Sequence, residues 1–327
     1  MKAAGIFCAC LLLSLSVNTK SFALDKKASS ALSHYIMGVV HEDLGDIDKA
    51  IEEYKKALNT DKDSLSIHLN LACSYLKKND FPSAIEELKA SIEIDPEAIE
   101  PHAILALIYT SAQKPELARR EYEVALKCAA KQHPENADIY KTLGILYLQA
   151  GKVKEAEEAY LTAVKLSPDD PQARFYLATI YNELKKDELA EKELERAIAL
   201  KPDYHEAMNF LGYLYVEQDK NLSKAGDLIR MALKLEPDNG AYIDSLGWLY
   251  FKNGKYKEAL KELKKASSLA EDPVIYDHIG DTYFRLNDAA NARSNWEKCL
   301  ELDPKNDSVR KKIEKIVNSS AKNSAAK

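Results

Sequence analysis

The chain has 327 residues, 46% of them hydrophobic and 30% charged, which is long enough for one large or two ordinary domains and too apolar for a disordered chain. Its formal charge is −6 and it has no long basic run, which argues against nucleic acid as a partner. No glycine-rich phosphate cradle and no nucleophile elbow occurs in it.

In chain order, the first element is a targeting segment. Lys2 precedes an apolar run from Ala3 to Val17, and Ser21-Phe22-Ala23 follows the small-x-small rule, so residues 1–23 are expected to be a signal peptide cleaved after Ala23. The run is shorter than the roughly 20 residues of a spanning helix, so no membrane span is expected after cleavage. Export to the periplasm or the outer envelope follows from this reading. Residues 24–30 read as a short linker. Cys8 and Cys10 leave with the signal, while Cys73, Cys128 and Cys299 are odd in number and far apart, which suits small buried side chains better than disulfides.

Residues 31–304 then repeat themselves. A small residue inside an apolar helical stretch recurs at Gly38, Ala72, Ala106, Gly144, Ala178, Gly212, Gly247 and Gly280, mostly in steps of 34. A second follows each at 12 or 13 residues, from Ala50 to Ala292. Such a period marks a solenoid of stacked helix pairs, with units starting near 31, 65, 99, 137, 171, 205, 240 and 273. Gly45, Gly151 and Asn253-Gly254 mark turns between the helices of a pair, and Asp95-Pro96, Ser167-Pro168, Glu236-Pro237 and Asp303-Pro304 stop the second helix. Four extra residues around Lys131 to Pro134 amount to about one helical turn, so the second helix of the third unit can lengthen without rotating its buried face. After the last unit, residues 305–318 read as a capping helix with Val309, Ile313 and Ile316 on one side and Arg310, Lys311, Lys312 and Lys315 mostly in solvent. Residues 319–327, rich in Ser, Ala and Lys, read as a disordered tail.

The unit resembles the tetratricopeptide repeat (TPR). The pattern W-x2-L-G-x2-Y, A-x3-F, P is matched in the fourth unit by Tyr140, Leu143, Gly144, Tyr147, Ala156, Tyr160 and Pro168, and in the seventh by Ile243, Leu246, Gly247, Tyr250, Ala259 and Leu263. Lys62 stands where the first unit would close on proline. The resemblance implies an all-α fold: a right-handed superhelical α-solenoid of eight helix-turn-helix repeats with a C-terminal capping helix. It also implies a non-enzymatic scaffold that binds a partner protein or extended peptide in a concave groove. The stretches "NFLGYLYVEQDKNLSKA", "DSLGWLYF" and "DHIGDTYFRL" look like the C-terminal repeats of exported or envelope-associated bacterial members, which implies a cell-envelope assembly. A periplasmic holdase-like chaperone for unfolded or secreted clients is the alternative.

Trp248 is not the tryptophan of the pattern, whose place in that unit is taken by Ile243. At about 100° per residue, Asp244, Trp248 and Phe251 share a face roughly 120° from the stripe of Leu246, Gly247 and Tyr250. In proteins resembling this one that face lines the groove. The expected partner-binding residues are therefore Lys141, Ile145 and Leu148; Phe175, Thr179 and Asn182; Asn209, Tyr213 and Val216; Asp244, Trp248 and Phe251; and Asp277, Asp281 and Phe284. Tyr213, Trp248, Phe251 and Phe284 are the expected anchors. Grooves of this family that clamp a terminal carboxylate use several lysines, arginines and asparagines, and Lys141, Asn182 and Asn209 are too few for that clamp. Trp296 takes the core aromatic position. In "DHIGD", His278 points away from Asp277 on a helix and has no second histidine near it, so no metal is expected there. The other six histidines read as scattered single side chains. No catalytic residue and no cofactor is expected.

Overall fold

A computed structural model of the protein describes residues 26–325, with side chains described from 27 to 316; the expected signal peptide, residues 1–23, lies outside the described residues. Seventeen helices and no strand occur among the described residues. The chain divides into two compact units, the first ending at Cys128 and the second starting at Ala129.

The first unit contains α1 (Lys26–Asp43), α2 (Ile47–Leu58), α3 (Leu65–Lys77), α4 (Phe81–Ile94), α5 (Ile99–Ser111) and most of α6 (Pro115–Gln132). The second contains α7 (Ala137–Gln149), α8 (Val153–Leu166), α9 (Pro171–Glu183), α10 (Asp187–Leu200), α11 (His205–Glu217), α12 (Leu222–Leu235), α13 (Gly240–Lys252), α14 (Tyr256–Leu269), α15 (Pro273–Arg285), α16 (Ala289–Leu302) and α17 (Asp307–Ala325). Odd-numbered helices up to α15 are the A helices of repeats and even-numbered ones the B helices.

Local chemistry sets the ends of these helices. Asp80, Asn136, Asp170, Asn239, Asp272 and Asp288 accept backbone N–H bonds at helix starts. Helices α4, α8, α12 and α16 end two residues before a proline, which biases the residue ahead of it away from helical angles. Each A-to-B turn pivots on a left-handed residue. Gly45, Gly151 and Gly254 adopt φ of 80°, 68° and 73°, and Asn79, Gln113, Lys185, Asp219 and Asn287 take the same place with φ between 53° and 60°. Helix α6 has 18 residues where α4 and α8 have 14, an excess of one turn.

Within a repeat, the small residues bring the A and B backbones together. A Cβ on Gly247 would lie 2.7 Å from Leu263 Cγ, and one on Gly280 would lie 2.4 Å from Trp296 Cδ1. Trp296 is accordingly sealed in the core at 2% exposure. In the first unit Ala50, Tyr54 and Ala57 of α2 pack with Ile67 and Leu71 of α3, so each B helix is covered by the next A helix. In the second unit one core runs from Ile243 through Leu263, Ile279 and Trp296 to Val309 and Ile316 of α17, which closes its end. Cys128 and Cys299 are buried thiols and Cys73 is half-buried.

Four expectations need correction. Helix α1 begins at Lys26, inside the segment 24–30 expected to be a linker, because the sequence from Lys26 to Ser30 has no proline or glycine to stop it. Helix α17 continues to Ala325, through most of the segment 319–327 expected to be disordered, since Ala321 and Ala325 favour helix and no breaker intervenes. Lys312 does not face solvent: its ammonium donates to Asp277 at 2.6 Å and Asp281 at 2.8 Å on α15. Lastly, three histidines are not scattered. His34, His68 and His102 stand 34 residues apart on α1, α3 and α5, and their Nδ1 atoms meet Glu53, Glu87 and Glu121 on the partner B helix at 2.7, 2.6 and 2.6 Å.

Candidate functional site

The fifteen residues expected to line a groove all lie on A helices of the second unit, and the structure sorts them into three environments. Around α11 and α13, Asn209, Tyr213 and Asp244 open into one cleft of about 290 Å³, completed by Ala241, Ser245, Ala270, Asp272, Val274 and Ile275. The Asn209 Oδ1 is buried there without a hydrogen-bond partner. Burial raises the Tyr213 pKa well above its ordinary value, helped by the carboxylates of Glu217, Asp244, Asp277 and Asp272, so its hydroxyl stays protonated. The lining thus mixes an amide oxygen, a phenol hydroxyl and carboxylates with the apolar carbons of Ala241, Ala270, Val274 and Ile275.

The second environment is a sealed stack. Trp248 is 8% exposed, its ring parallel to Phe251 at 4.4 Å and to the His278 imidazole at 3.9 Å. Its indole N–H donates to Glu217, and Lys252 lies over its ring at 5.5 Å. The His278 Nδ1 meets Asp244 Oδ1 at 2.9 Å, with both side chains buried. Burial opposes a charge on His278, but Asp244 beside it, with Asp277 and Glu217 farther off, holds its pKa above the ordinary value. Trp248 is thus not an open anchor, and neither Val216 at 0% exposure nor Asp244 at 5% offers its side chain to a partner lying on the face. The reason is geometric: α13 touches α11 on one side and α15 on the other, so the face turned away from its own B helix meets neighbouring A helices. Phe251, half-buried, lies beneath Arg285 and edge-on to Tyr256.

Residues nearer solvent make up the third environment. Ile145 and Phe284 are 40% and 44% exposed. Lys141 is ion-paired with Asp138 and Asp170 at 2.7 and 2.8 Å, and those two carboxylates raise its pKa. Phe175 packs against Tyr204 and Phe210, and the Thr179 hydroxyl donates to the Tyr176 carbonyl. Leu148 and Asn182 are half-buried. Lys312 neutralises Asp277 and Asp281, while burial and the neighbouring Asp277 push the Asp281 pKa up.

Sequence reasoning missed His278 and Lys312 as parts of this region. His278 sits 34 residues after Asp244, one repeat on, which is the spacing that would have revealed it. Among the described residues no cluster of His, Cys, Asp or Glu has the makings of a metal site.

Sequence models described as tetratricopeptide repeat match residues 43–108, 101–169, 141–204 with 188–240, and 242–273 with 274–306. A TPR repeat-containing protein of Pseudomonas aeruginosa is 36% identical over 58 residues, which is 18% of this chain and 10% of that protein. A tetratricopeptide repeat protein from Parabacteroides merdae superposes with a TM-score of 0.57 at 18% identity, covering 77% of this chain and 98% of that one. The Cut9–Hcn1 hetero-tetramer of the APC/C gives a TM-score of 0.56 at 16% identity over 89% of this chain and 70% of that one. At these identities the two structures bear on the fold alone.

Proposed function

The chain belongs to the tetratricopeptide repeat family, and from that premise we propose that it is a non-enzymatic scaffold of a bacterial cell-envelope assembly, exported by residues 1–23, that holds a partner protein or extended peptide on the A helices of its second unit. Repeats of this family are in general protein-interaction scaffolds. The observation that carries the reading is the cleft at Asn209, Tyr213 and Asp244. At about 290 Å³ it lies at the lower end of ligand pockets, roughly 300–1,000 Å³, which suits one inserted side chain better than a cofactor. An unpartnered amide oxygen and the Asp272 carboxylate beside Ala270, Val274 and Ile275 suit a long side chain with an apolar stem and a cationic head, such as lysine. Exposed Phe284 on α15, a helix of the cleft, and Ile145 on α7 add apolar surface on the A helices of the same unit. The buried Trp248 stack supports the cleft as a rigid wall and makes no contact itself.

A photo-crosslinking residue placed at Ile145, Val274 or Phe284 tests this in cells. Crosslinks to the same partner are expected from these A-helix positions and not from Leu161 or Leu189, which are equally exposed on B helices α8 and α10. Equal yields from both helix sets would overturn the assignment of the binding face.

A further inference from the structure

One contact recurs between successive A helices. The residue three places before the small residue of one helix meets the residue two places before the small residue of the next. Tyr35 of α1 thus accepts from the Asn70 amide of α3 at 2.8 Å, Phe175 of α9 lies edge-on to Phe210 of α11 with ring centres 6.2 Å apart, and Asp244 of α13 accepts from His278 Nδ1 of α15 at 2.9 Å. Lys312 of α17, 34 residues after His278, continues the row by donating to Asp277 at 2.6 Å. Lys141, a donor in the first place, finds Asp170 at the head of α9. At Tyr35, Asp244 and Asp277 the first residue accepts and the next helix supplies a nitrogen donor. The step from α11 to α13 departs from this. Asn209 stands in the acceptor's place and Ser245 in the donor's, but the Ser245 hydroxyl donates to the Ala241 carbonyl of its own helix at 3.0 Å. The Asn209 Oδ1 is left buried with no hydrogen-bond partner among the described residues, and both side chains line the cleft.

We infer that Ser245 determines what the cleft accepts: by giving Asn209 no donor, it makes that amide oxygen the docking point for the ammonium group of a lysine on the partner, in the role His278 and Lys312 play at the next two steps. The inference rests on the proposed function for the partner's place on this face. A buried acceptor without a donor carries its full desolvation cost, so a donor brought to it gains more than one brought to a solvated amide. Charge favours an ammonium over a neutral amide. Asp244 is taken by His278, but the Asp272 carboxylate lines the same cleft, and Tyr213 beside it is under the influence of Glu217, Asp244, Asp277 and Asp272 together. Lys312 shows within this chain how such a group docks, since its ammonium reaches both Asp277 and Asp281 while its side chain stays 28% exposed.

Saturation-transfer NMR of Nα-acetyl-lysine methylamide with the whole chain tests this, with the norleucine analogue as the apolar control. The lysine probe is expected to bind roughly tenfold or more tightly than the norleucine probe, as a charge-assisted hydrogen bond to a buried acceptor requires. Asn209→Leu should bring the lysine probe down to the norleucine level while Tm holds or rises, because it removes a buried polar atom without a partner. Ser245→Lys should place an ammonium on Asn209 from inside the chain and exclude both probes. No binding of the lysine probe, equal binding of the two probes, or a lysine preference that survives Asn209→Leu overturns the inference. Crosslinking separates it from the reading beneath it. A partner still captured at Phe284 in Ser245→Lys overturns the inference and leaves the binding face standing, whereas equal crosslinks from A and B helices overturn the face itself.

Discussion

The two units close the same joint with different chemistry. In the first, each A helix meets its B helix through a histidine and a glutamate: His34 with Glu53, His68 with Glu87 and His102 with Glu121. In the second, the histidine's place is held by Tyr140, Met208, Ile243 and Tyr276, with Arg174 meeting Glu193 at 2.5 Å and the Tyr276 hydroxyl accepting from Lys298 at 3.2 Å. Polar pairs between successive elements occur in both units: Asn70 and Lys77 of α3 meet Tyr35 and Glu42 of α1 in the first, and in the second His278 of α15 meets Asp244 of α13 and Lys312 of α17 meets Asp277 and Asp281. Neighbouring A helices are therefore locked by polar groups in both units, and the difference lies in the joint inside a repeat, a histidine–glutamate pair in one unit and mostly an apolar or aromatic contact in the other. A solenoid tolerates both, because each repeat needs only its own joint and its two neighbours.

The largest break in this comparison is expected from Trp248→Ala. It removes the ring between Phe251 and His278 and should cost the second unit about 3–5 kcal/mol in denaturant unfolding. Both tryptophans lie in that unit, so Trp296 emission follows its unfolding while circular dichroism follows both units. Unchanged stability would mean that the stack is not a structural element. In the first unit, His102→Ala should cost about 1–2 kcal/mol by leaving the Glu121 carboxylate without its donor, whereas His34→Ala, whose side chain is 37% exposed, should cost under about 1 kcal/mol. Equal losses would show that burial does not set the strength of these pairs.

Acidity separates the units further. The folded pKa of His278 is raised, so the stability it contributes is fully present below its unfolded value of about 6.5 and is lost as pH rises through the folded value. Tryptophan-monitored unfolding should show the second unit weakening from about pH 6.5 upward, and His278→Phe should flatten that slope; a second unit that strengthens over the same range contradicts the assignment. The smallest effect is expected at a turn. Lys185 holds a left-handed φ of 59° where other repeats use glycine, so Lys185→Gly should raise stability by about 0.5–1 kcal/mol, read as a small rise in Tm.

The repeat period carried the helix pairs, the lengthened α6 and the close A–B contacts, because each of these depends on residues within one unit. Gly247 against Leu263 and Gly280 against Trp296 are contacts of that kind. What a single helix wheel could not carry was the fate of a face shared between neighbours. The wheel placed Trp248 away from its own B helix, yet it gave no sign that His278 of the next repeat would stack on it. Lys312 escapes the wheel for the same reason, since its partners Asp277 and Asp281 belong to another element. The histidine ladder does not show in the period of small and apolar residues, because it needs the glutamates 19 residues on to give it meaning. Of the helix face read from the sequence, Asn209 and Tyr213 line a cleft. Which of its residues are open was set by stacking.

On the proposed function, the cleft beside Val274 takes a partner while the Trp248 stack only supports it. Val274 is 47% exposed, so Val274→Arg fills the cleft mouth with a cation without disturbing the core. Val274→Arg is expected to keep the wild-type Tm and to lose the partner crosslinked at Phe284; a variant that retains that crosslink in full would overturn the proposed function.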